Sequence, residues 1–301
     1  MTKPSLALCY DRRLYRDSFA PLDWERLAAV TDLVDREPLM SYLDARAAAI
    51  LQRTMEIMRT VGIEKEITAR SADQFDQDAA IMAVVSLAGE EIAYTAKAGT
   101  LILKDDEGNP KASIFYVAYT RDGVEDVSQR PITFSFNGGP GSSSVWLHLG
   151  LLGPRRVVSG DAGAPVPPPY RLVDNDLSLL DHTDLVFVDP VSTGFSRPAP
   201  GEEAKQFHGV QQDIESVGEF IRLYVTRYKR WSSPKFLIGE SYGTTRAAGL
   251  AGYLQGRHGM YLNGLMLISA VLNFQTDSFT VGNELPYLLH LPTYTATAWY
   301  H

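Results

Sequence analysis

The pentapeptide Gly239-Glu240-Ser241-Tyr242-Gly243 constrains the fold of this chain more than any other short segment. Alone, the Gly-x-Ser-x-Gly pattern is weak. Its flanks make it informative. An apolar run at 235–238 leads straight into it, and a helix-compatible segment at 242–255 leads out. That is the strand–turn–helix setting of a nucleophile elbow. In such a corner, strand and helix pass so closely that side chains at 239 and 243 collide, and the serine between them occupies a strained turn. Ser241 would then lie exposed at a helix amino terminus, where the dipole favours an alkoxide or a negative tetrahedral intermediate. The competing reading is a serine in an ordinary glycine-rich turn.

The residues around the elbow alternate between the periods of strand and helix. Residues 91–97, 99–104 and 112–120 read as strands, the last two separated by the polar turn Asp105-Asp106-Glu107-Gly108-Asn109. Residues 132–136 and 185–188 are short apolar runs suited to buried parallel strands. Residues 209–228 read as a helix with Val210, Ile214, Val217, Ile221, Tyr224 and Tyr228 on one stripe. Strands follow at 236–238 and 265–268. Early hairpin strands followed by alternating β and α elements predict an α/β fold with a mostly parallel sheet covered by helices. Before residue 89 the pattern is helical: residues 23–35, residues 39–60 with an apolar stripe, and an acidic stretch at 71–78. Two domains are therefore expected, a helical extension at 1–88 and the α/β domain at 89–301. The run at 165–169 reads as a rigid proline-rich loop or a polyproline ligand.

A second glycine-rich segment, Asn137-Gly138-Gly139-Pro140-Gly141-Ser142-Ser143-Ser144, follows the apolar run at 132–136. Such a loop can aim backbone N–H groups at an anion. A phosphate-binding loop is the rival reading, but no Lys-Ser/Thr pair follows the glycines and Pro140 removes a donor. Paired with a downstream elbow, the segment reads as an oxyanion hole.

These two segments, together with Asp189-Pro190-Val191-Ser192-Thr193-Gly194-Phe195-Ser196, resemble in order and spacing the motifs of serine carboxypeptidases. Those are α/β-hydrolases that remove carboxy-terminal residues from peptides. The resemblance implies Ser241 as nucleophile and the backbone N–H groups of Gly139 and Tyr242 as the oxyanion hole. It implies that Asn137, the Gly138 backbone and Glu240 bind the terminal carboxylate of a peptide substrate. Two like charges within hydrogen-bond reach cannot both ionise cheaply, so Glu240 is expected to hold a proton when substrate is bound, with activity falling above neutral pH. An esterase or acyltransferase of the same fold is an alternative, because the motifs identify the nucleophile and not the leaving group.

Two departures matter. Leu151 stands where the family usually places a second glutamate, two residues before Gly153-Pro154. The catalytic acid and base are also expected after the serine, in the order Ser, Asp, His. There the chain offers only Asp277, His258, His290 and His301, none at the family's spacing; His148, His182 and His208 precede the serine and read as structural. The expectation is an α/β-hydrolase incomplete on its carboxyl-terminal side, a fragment stopping before its acid and base. Loss of the base costs about a million-fold in turnover, so a catalytically dead fragment or binding-only protein is the first alternative, ahead of the esterase or acyltransferase.

Residues 5–48 look faintly like the opening of a hydroxyacid dehydrogenase, and residues 53–58 with Gly62-Ile63 like part of a flavin monooxygenase. Neither carries a Gly-x-Gly-x-x-Gly fingerprint, so no redox function is inferred. A composite gene or an unrelated helical extension accounts for these residues.

Composition narrows the partners. A net charge of −8 argues against nucleic acid or an anionic membrane. No apolar stretch approaches the roughly 20 residues needed to span a bilayer, and no secretory signal is evident. Cys9 is the only cysteine, which excludes an internal disulfide and a thiolate metal cluster. A reducing compartment fits, as does a disulfide-free exported protein. The scattered histidines and the missing His-Glu-x-x-His signature indicate no metal site, and the chemistry needs no organic cofactor.

Overall fold

The computed structural model describes residues 78–87, 89–158 and 167–300. The helices expected at 23–35 and 39–60, the acidic stretch up to residue 77, Cys9, the two amino-terminal resemblances, His301 and residues 165–166 of the proline run lie outside the described residues. The described residues fall into two compact units, 78–272 and 273–300.

The first unit is built on ten strands: β1 (Asp78–Leu87), β2 (Glu90–Lys104), β3 (Pro110–Arg121), β4 (Ile132–Phe136), β5 (Arg155–Val157), β6 (Leu172–Asp174), β7 (Asp184–Val188), β8 (Arg197–Pro198), β9 (Lys235–Glu240) and β10 (Gly264–Ile268). Its long helices are α1 (Val210–Arg227) and α2 (Tyr242–His258). The main sheet runs β1-β2-β3-β7-β4-β9-β10, with β8 paired to β3, and β5 and β6 form a separate hairpin. The pairings are antiparallel from β1 through β7 and parallel from β7 through β10. The sheet is therefore mixed. Residues 91–97 and 99–104, read separately in the sequence, are one 15-residue strand. Strand β1 consists of residues that the sequence reading assigned to the helical extension, and it adds an antiparallel pairing not counted there.

Period-two alternation sends side chains to both faces of the sheet. Along β3, Ile114, Tyr116 and Ala118 join one core cluster, whereas Phe115, Val117 and Tyr119 join the other. The first cluster is closed by α1 and α2, whose Val217, Phe220, Ile221, Ala247, Leu250 and Leu254 are fully buried. Strands β4 and β7 are buried at all ten positions; residues 185–188 of β7 read as an unbroken apolar run, whereas β4 alternates, with Thr133 and Ser135 buried on the face opposite Ile132, Phe134 and Phe136. At the polar turn before β3, the Asp105 carboxylate accepts the backbone N–H groups of Glu107 and Asn109, and Gly108 takes φ +89°. Helix α2 ends on Gly259 at φ +62°, whose N–H caps the last turn.

Strand β4 lies between β7 and β9. The chain leaves β4 to make β7 on one side, then crosses to make β9 on the other. The direction of winding reverses at β4, so the loops that follow β4, β7 and β9 emerge together at the carboxyl ends of three adjacent parallel strands. Open α/β sheets bind ligands at such reversals. Those three loops are the three segments singled out in the sequence.

The second unit carries a helix α3 (Leu285–Tyr300) with Pro292 inside it. Phe279 packs edge-on against the Tyr287 ring, and His290 Nδ1 lies 2.9 Å from the Pro286 carbonyl oxygen. Among the described residues, no helix is long and apolar enough to cross a membrane.

Candidate active site

Strand β9 delivers the chain to Ser241, and α2 carries it away. Ser241 takes φ 57° and ψ −126°, a conformation that non-glycine residues adopt at a cost of about 1–3 kcal/mol. The corner is held from both sides. Ser241 N–H donates to the Ile268 carbonyl at 2.9 Å, and the Ser241 carbonyl accepts from Thr244 N–H at 2.9 Å and Thr244 Oγ1 at 2.7 Å. Val271 N–H in turn donates to Thr244 Oγ1 at 2.8 Å. No described residue hydrogen-bonds the half-buried Ser241 side chain.

Glycine is required here by close approach. A Cβ on Gly239 would sit 2.1 Å from the Gly243 carbonyl oxygen, and one on Gly243 would sit 2.7 Å from the Phe136 carbonyl oxygen. Both obstacles are backbone, which cannot swing aside. The elbow thus packs on its own helix and on the end of β4.

The loop after β4 seats against the elbow through Gly138. A Cβ there would lie 2.4 Å from Tyr242 N and 2.7 Å from the Glu240 carbonyl oxygen. Gly139 and Gly141 follow with φ +106° and +115°. Asn137 is buried, and its Oδ1 accepts Leu147 N–H at 3.0 Å. That bond orients the amide so that Nδ2 donates to Glu240 Oε2 at 3.1 Å. One Nδ2 hydrogen remains for another acceptor. The two side chains expected from the family resemblance to bind a carboxylate are therefore hydrogen-bonded to each other. No described residue accepts the N–H of Gly138, Gly139 or Tyr242.

The loop after β7 braces the loop after β4 through Asp189. Its Oδ1 accepts Ser144 N–H at 2.9 Å, and Ser144 Oγ donates to the Val188 carbonyl. A Cβ on Gly194 would meet Asp189 Oδ2 at 1.8 Å, and that glycine takes φ +47°. Burial pushes the Asp189 carboxyl up to about 6 from 3.8, against the pull of N–H bonds from Ser144 and Phe195. The folded value exceeds the unfolded one, so this group contributes stability that is present below pH 3.8 and lost as pH rises through about 6. Urea unfolding at pH 4 and pH 7 should show the chain losing up to about 3 kcal/mol more than Asp189→Asn over that interval. Equal losses would show that Asp189 ionises in the fold as it does in water.

The described histidines of the first unit have partners of their own. His148 is buried, stacked on Phe187 and bonded to the Tyr119 hydroxyl at 2.7 Å; burial lowers it to about 3 and keeps it neutral. His182 pairs with Asp181 before β7, at the opposite end of that strand from the elbow. His208 lies 3.1 Å from Ser192 Oγ on the exposed surface. His258 ends α2, 16 residues after Tyr242 and so about 24 Å along the axis, and pairs with Glu219 at 2.9 Å. His290 and Asp277 belong to the second unit. Leu151 is exposed, and its carbonyl accepts from Asn175 Nδ2 at 2.7 Å. Among the described residues, no group of three or more His, Cys, Asp and Glu side chains could hold a metal ion.

Sequence reading missed Arg246 and Asp213, which lie directly beneath the loop after β4. Arg246 Nε donates to Asp213 Oδ2 and Nη1 to the Asn137 carbonyl, both at 2.8 Å. Burial, with the Asp213 carboxylate adding to it, pushes the Tyr242 phenol up to about 12. The signal was available: Arg246 continues the buried stripe of Leu250 and Leu254 at a spacing of four, and Asp213 that of Val217 and Ile221.

Residues 92–293 match the serine carboxypeptidase family. The pheromone-processing carboxypeptidase KEX1 of Saccharomyces cerevisiae is 30% identical over 145 residues, 46% of this chain and 18% of that protein. Serine carboxypeptidase-like 35 of Arabidopsis thaliana is 25% identical over 224 residues, 71% of this chain and 43% of that protein. The crystal structure of a S. cerevisiae KEX1 prohormone-processing carboxypeptidase superposes with a TM-score of 0.52 at 22% identity, over 66% of this chain and 42% of that one. That superposition establishes a shared α/β-hydrolase fold. The chain spans less than half the length of each of these relatives.

Proposed function

We propose that this chain, which belongs to the serine carboxypeptidase family, binds the carboxyl terminus of a peptide and presents its last peptide bond to Ser241 for acyl transfer. The observation that carries the reading is the strained Ser241 corner packed against the Gly138 loop, with Asn137 and Glu240 hydrogen-bonded beside it. In this reading Ser241 Oγ attacks the scissile carbonyl, the C–N bond breaks and the last amino acid leaves with the serine's proton on its amine; water then hydrolyses the acyl-Ser241 intermediate and restores the hydroxyl. The N–H groups of Gly139 and Tyr242 receive the oxyanion, aided by the amino-terminal dipole of α2. The free Nδ2 hydrogen of Asn137, the Gly138 N–H and Glu240 hold the terminal carboxylate. None of His148, His182 and His258 of the first unit is assigned as the general base: His148 is buried and neutral, His182 lies at the other end of β7, and His258 ends α2.

That last point favours a second reading, a hydrolase-like protein that binds peptide termini without turning them over. A single series separates the two. The chain and Ser241→Ala are treated with a fluorophosphonate probe, and the adduct is mapped by mass spectrometry. Release of leucine from benzyloxycarbonyl-Phe-Leu is then compared with turnover of its carboxamide and methyl ester. Labelling at Ser241 with preferential release from the free acid supports the carboxypeptidase. Binding of the free acid without release supports the binding protein. Fast ester cleavage indifferent to a free carboxylate would indicate an esterase. Neither labelling nor binding by the folded chain would end all three.

A further inference from the structure

Arg246 is the largest fully buried side chain among the described residues, and nothing in the proposed chemistry uses it. Its side chain is only 2% exposed. Burying such a charge costs several kcal/mol after relaxation, and apolar replacements of buried ion pairs are often as stable, so stability alone does not account for it. Its contacts are specific. Nε takes Asp213 Oδ2 from α1, Nη1 takes the Asn137 carbonyl, and the plane lies 5.2 Å from the ring centres of both Phe136 and Tyr242. Arg246 thereby joins α1, α2, the end of β4 and the residue after Ser241.

The consequence lies in one peptide plane. The cis peptide bonds among the described residues are Gly139–Pro140 and Pro168–Pro169, so the Asn137–Gly138 bond is trans. In a planar trans peptide the carbonyl and the following N–H point in opposite directions. Arg246 holds the Asn137 carbonyl inward, so the Gly138 N–H points outward, where no described residue accepts it.

We propose that Arg246 is a positioning residue for specificity: by clamping the Asn137 carbonyl it aims the Gly138 N–H at the terminal carboxylate of the bound peptide. This rests on the carboxypeptidase reading above. Arg246 touches no substrate. It acts through the peptide plane, and Asp213 neutralises it so that its charge does not dominate the site. Its rigid fork matters, because one planar group must reach a carboxylate and a carbonyl together.

The test measures binding, so it does not depend on turnover. On a Ser241→Ala background, the affinities of benzyloxycarbonyl-Phe-Leu and of its carboxamide are measured by calorimetry for Arg246, Arg246→Met and Arg246→Lys, with thermal melting as the check on folding. The parent should prefer the free acid. Arg246→Met should reduce that preference about 10-fold or more, the scale of one hydrogen bond to a charged group. Arg246→Lys keeps a cation for Asp213 but cannot span both partners, and should fall between; it carries the test if Arg246→Met does not fold. Folded variants that retain the parental ratio would overturn the role of Arg246 and leave the carboxypeptidase reading standing. A parent indifferent to the carboxylate would overturn that reading, and this inference with it.

Discussion

Gly138→Ala should slow fluorophosphonate labelling of Ser241 by about 100-fold while leaving the far-ultraviolet circular dichroism unchanged. The added Cβ would meet three backbone atoms: Tyr242 N at 2.4 Å, the Glu240 carbonyl oxygen at 2.7 Å and Gly243 N at 2.8 Å. Restoring ordinary contact, which begins near 3.4 Å, requires about a 1 Å shift between the loop and the elbow. Misplacement on that scale costs about 100-fold where groups must act together. Gly138 does not have a positive φ, so the backbone itself tolerates alanine and the whole effect comes from close approach. Gly141 supplies the contrast. It takes φ +115° with nothing within 4 Å of an added Cβ, so Gly141→Ala meets backbone strain of about 1–3 kcal/mol and no collision with the elbow. If Gly138→Ala labels as fast as the parent, the loop does not bear on the nucleophile.

The largest loss of stability is expected from Asp184→Ala. Asp184 starts β7, with its side chain 3% exposed, between two arginines that are themselves buried. Arg130 Nε donates to Oδ1 at 2.7 Å and Arg230 Nη1 to Oδ2 at 2.5 Å, while Arg121 N–H adds a bond at 3.0 Å. Arg230 also donates to the Arg130 carbonyl at 2.9 Å and to Ser233 Oγ at 2.7 Å, which ties the entries to β4 and β9 together. Removing the carboxylate leaves two guanidiniums buried without a counter-charge. Breaking a buried pair costs about 3–5 kcal/mol, or about 1–1.5 M in the urea midpoint at a slope of about 3 kcal/mol/M. Asp184 lies at the opposite end of the strands from Ser241, about 17 Å away along a five-residue strand. Labelling of the residual folded protein should therefore stay within a factor of about two of the parent. A midpoint shift below about 0.5 M would show that solvent screens this cluster.

The two experiments probe opposite ends of one sheet, and they differ in what the sequence could foretell. The elbow was legible because its requirements are local. An apolar strand, two glycines flanking a serine and a helix are adjacent in the chain, and the collision that excludes a Cβ at 239 is with Gly243 itself; the one at 243, with Phe136 and Asn137, is tertiary. Strand β7 was legible because, with both faces covered, residues 185–188 read as a continuous apolar run, whereas β4 buries Thr133 and Ser135 on its second face and alternates. Strand β1 was not legible, since its pairing with β2 is a tertiary decision that left Met82 and Val84 exposed and blurred the alternation.

What the chain determined by itself is the nucleophile corner, the glycine loop and the order of β and α elements, because backbone sterics and periodicity act over a handful of neighbours. What only the tertiary structure decided is which polar groups face each other. Arg246 meets an aspartate 33 residues away and a carbonyl 109 residues away, and Asp189 meets an N–H 45 residues away. Partnerships of that kind have no local signature; they follow from the reversal of winding at β4, which brings three loops to one end of the sheet.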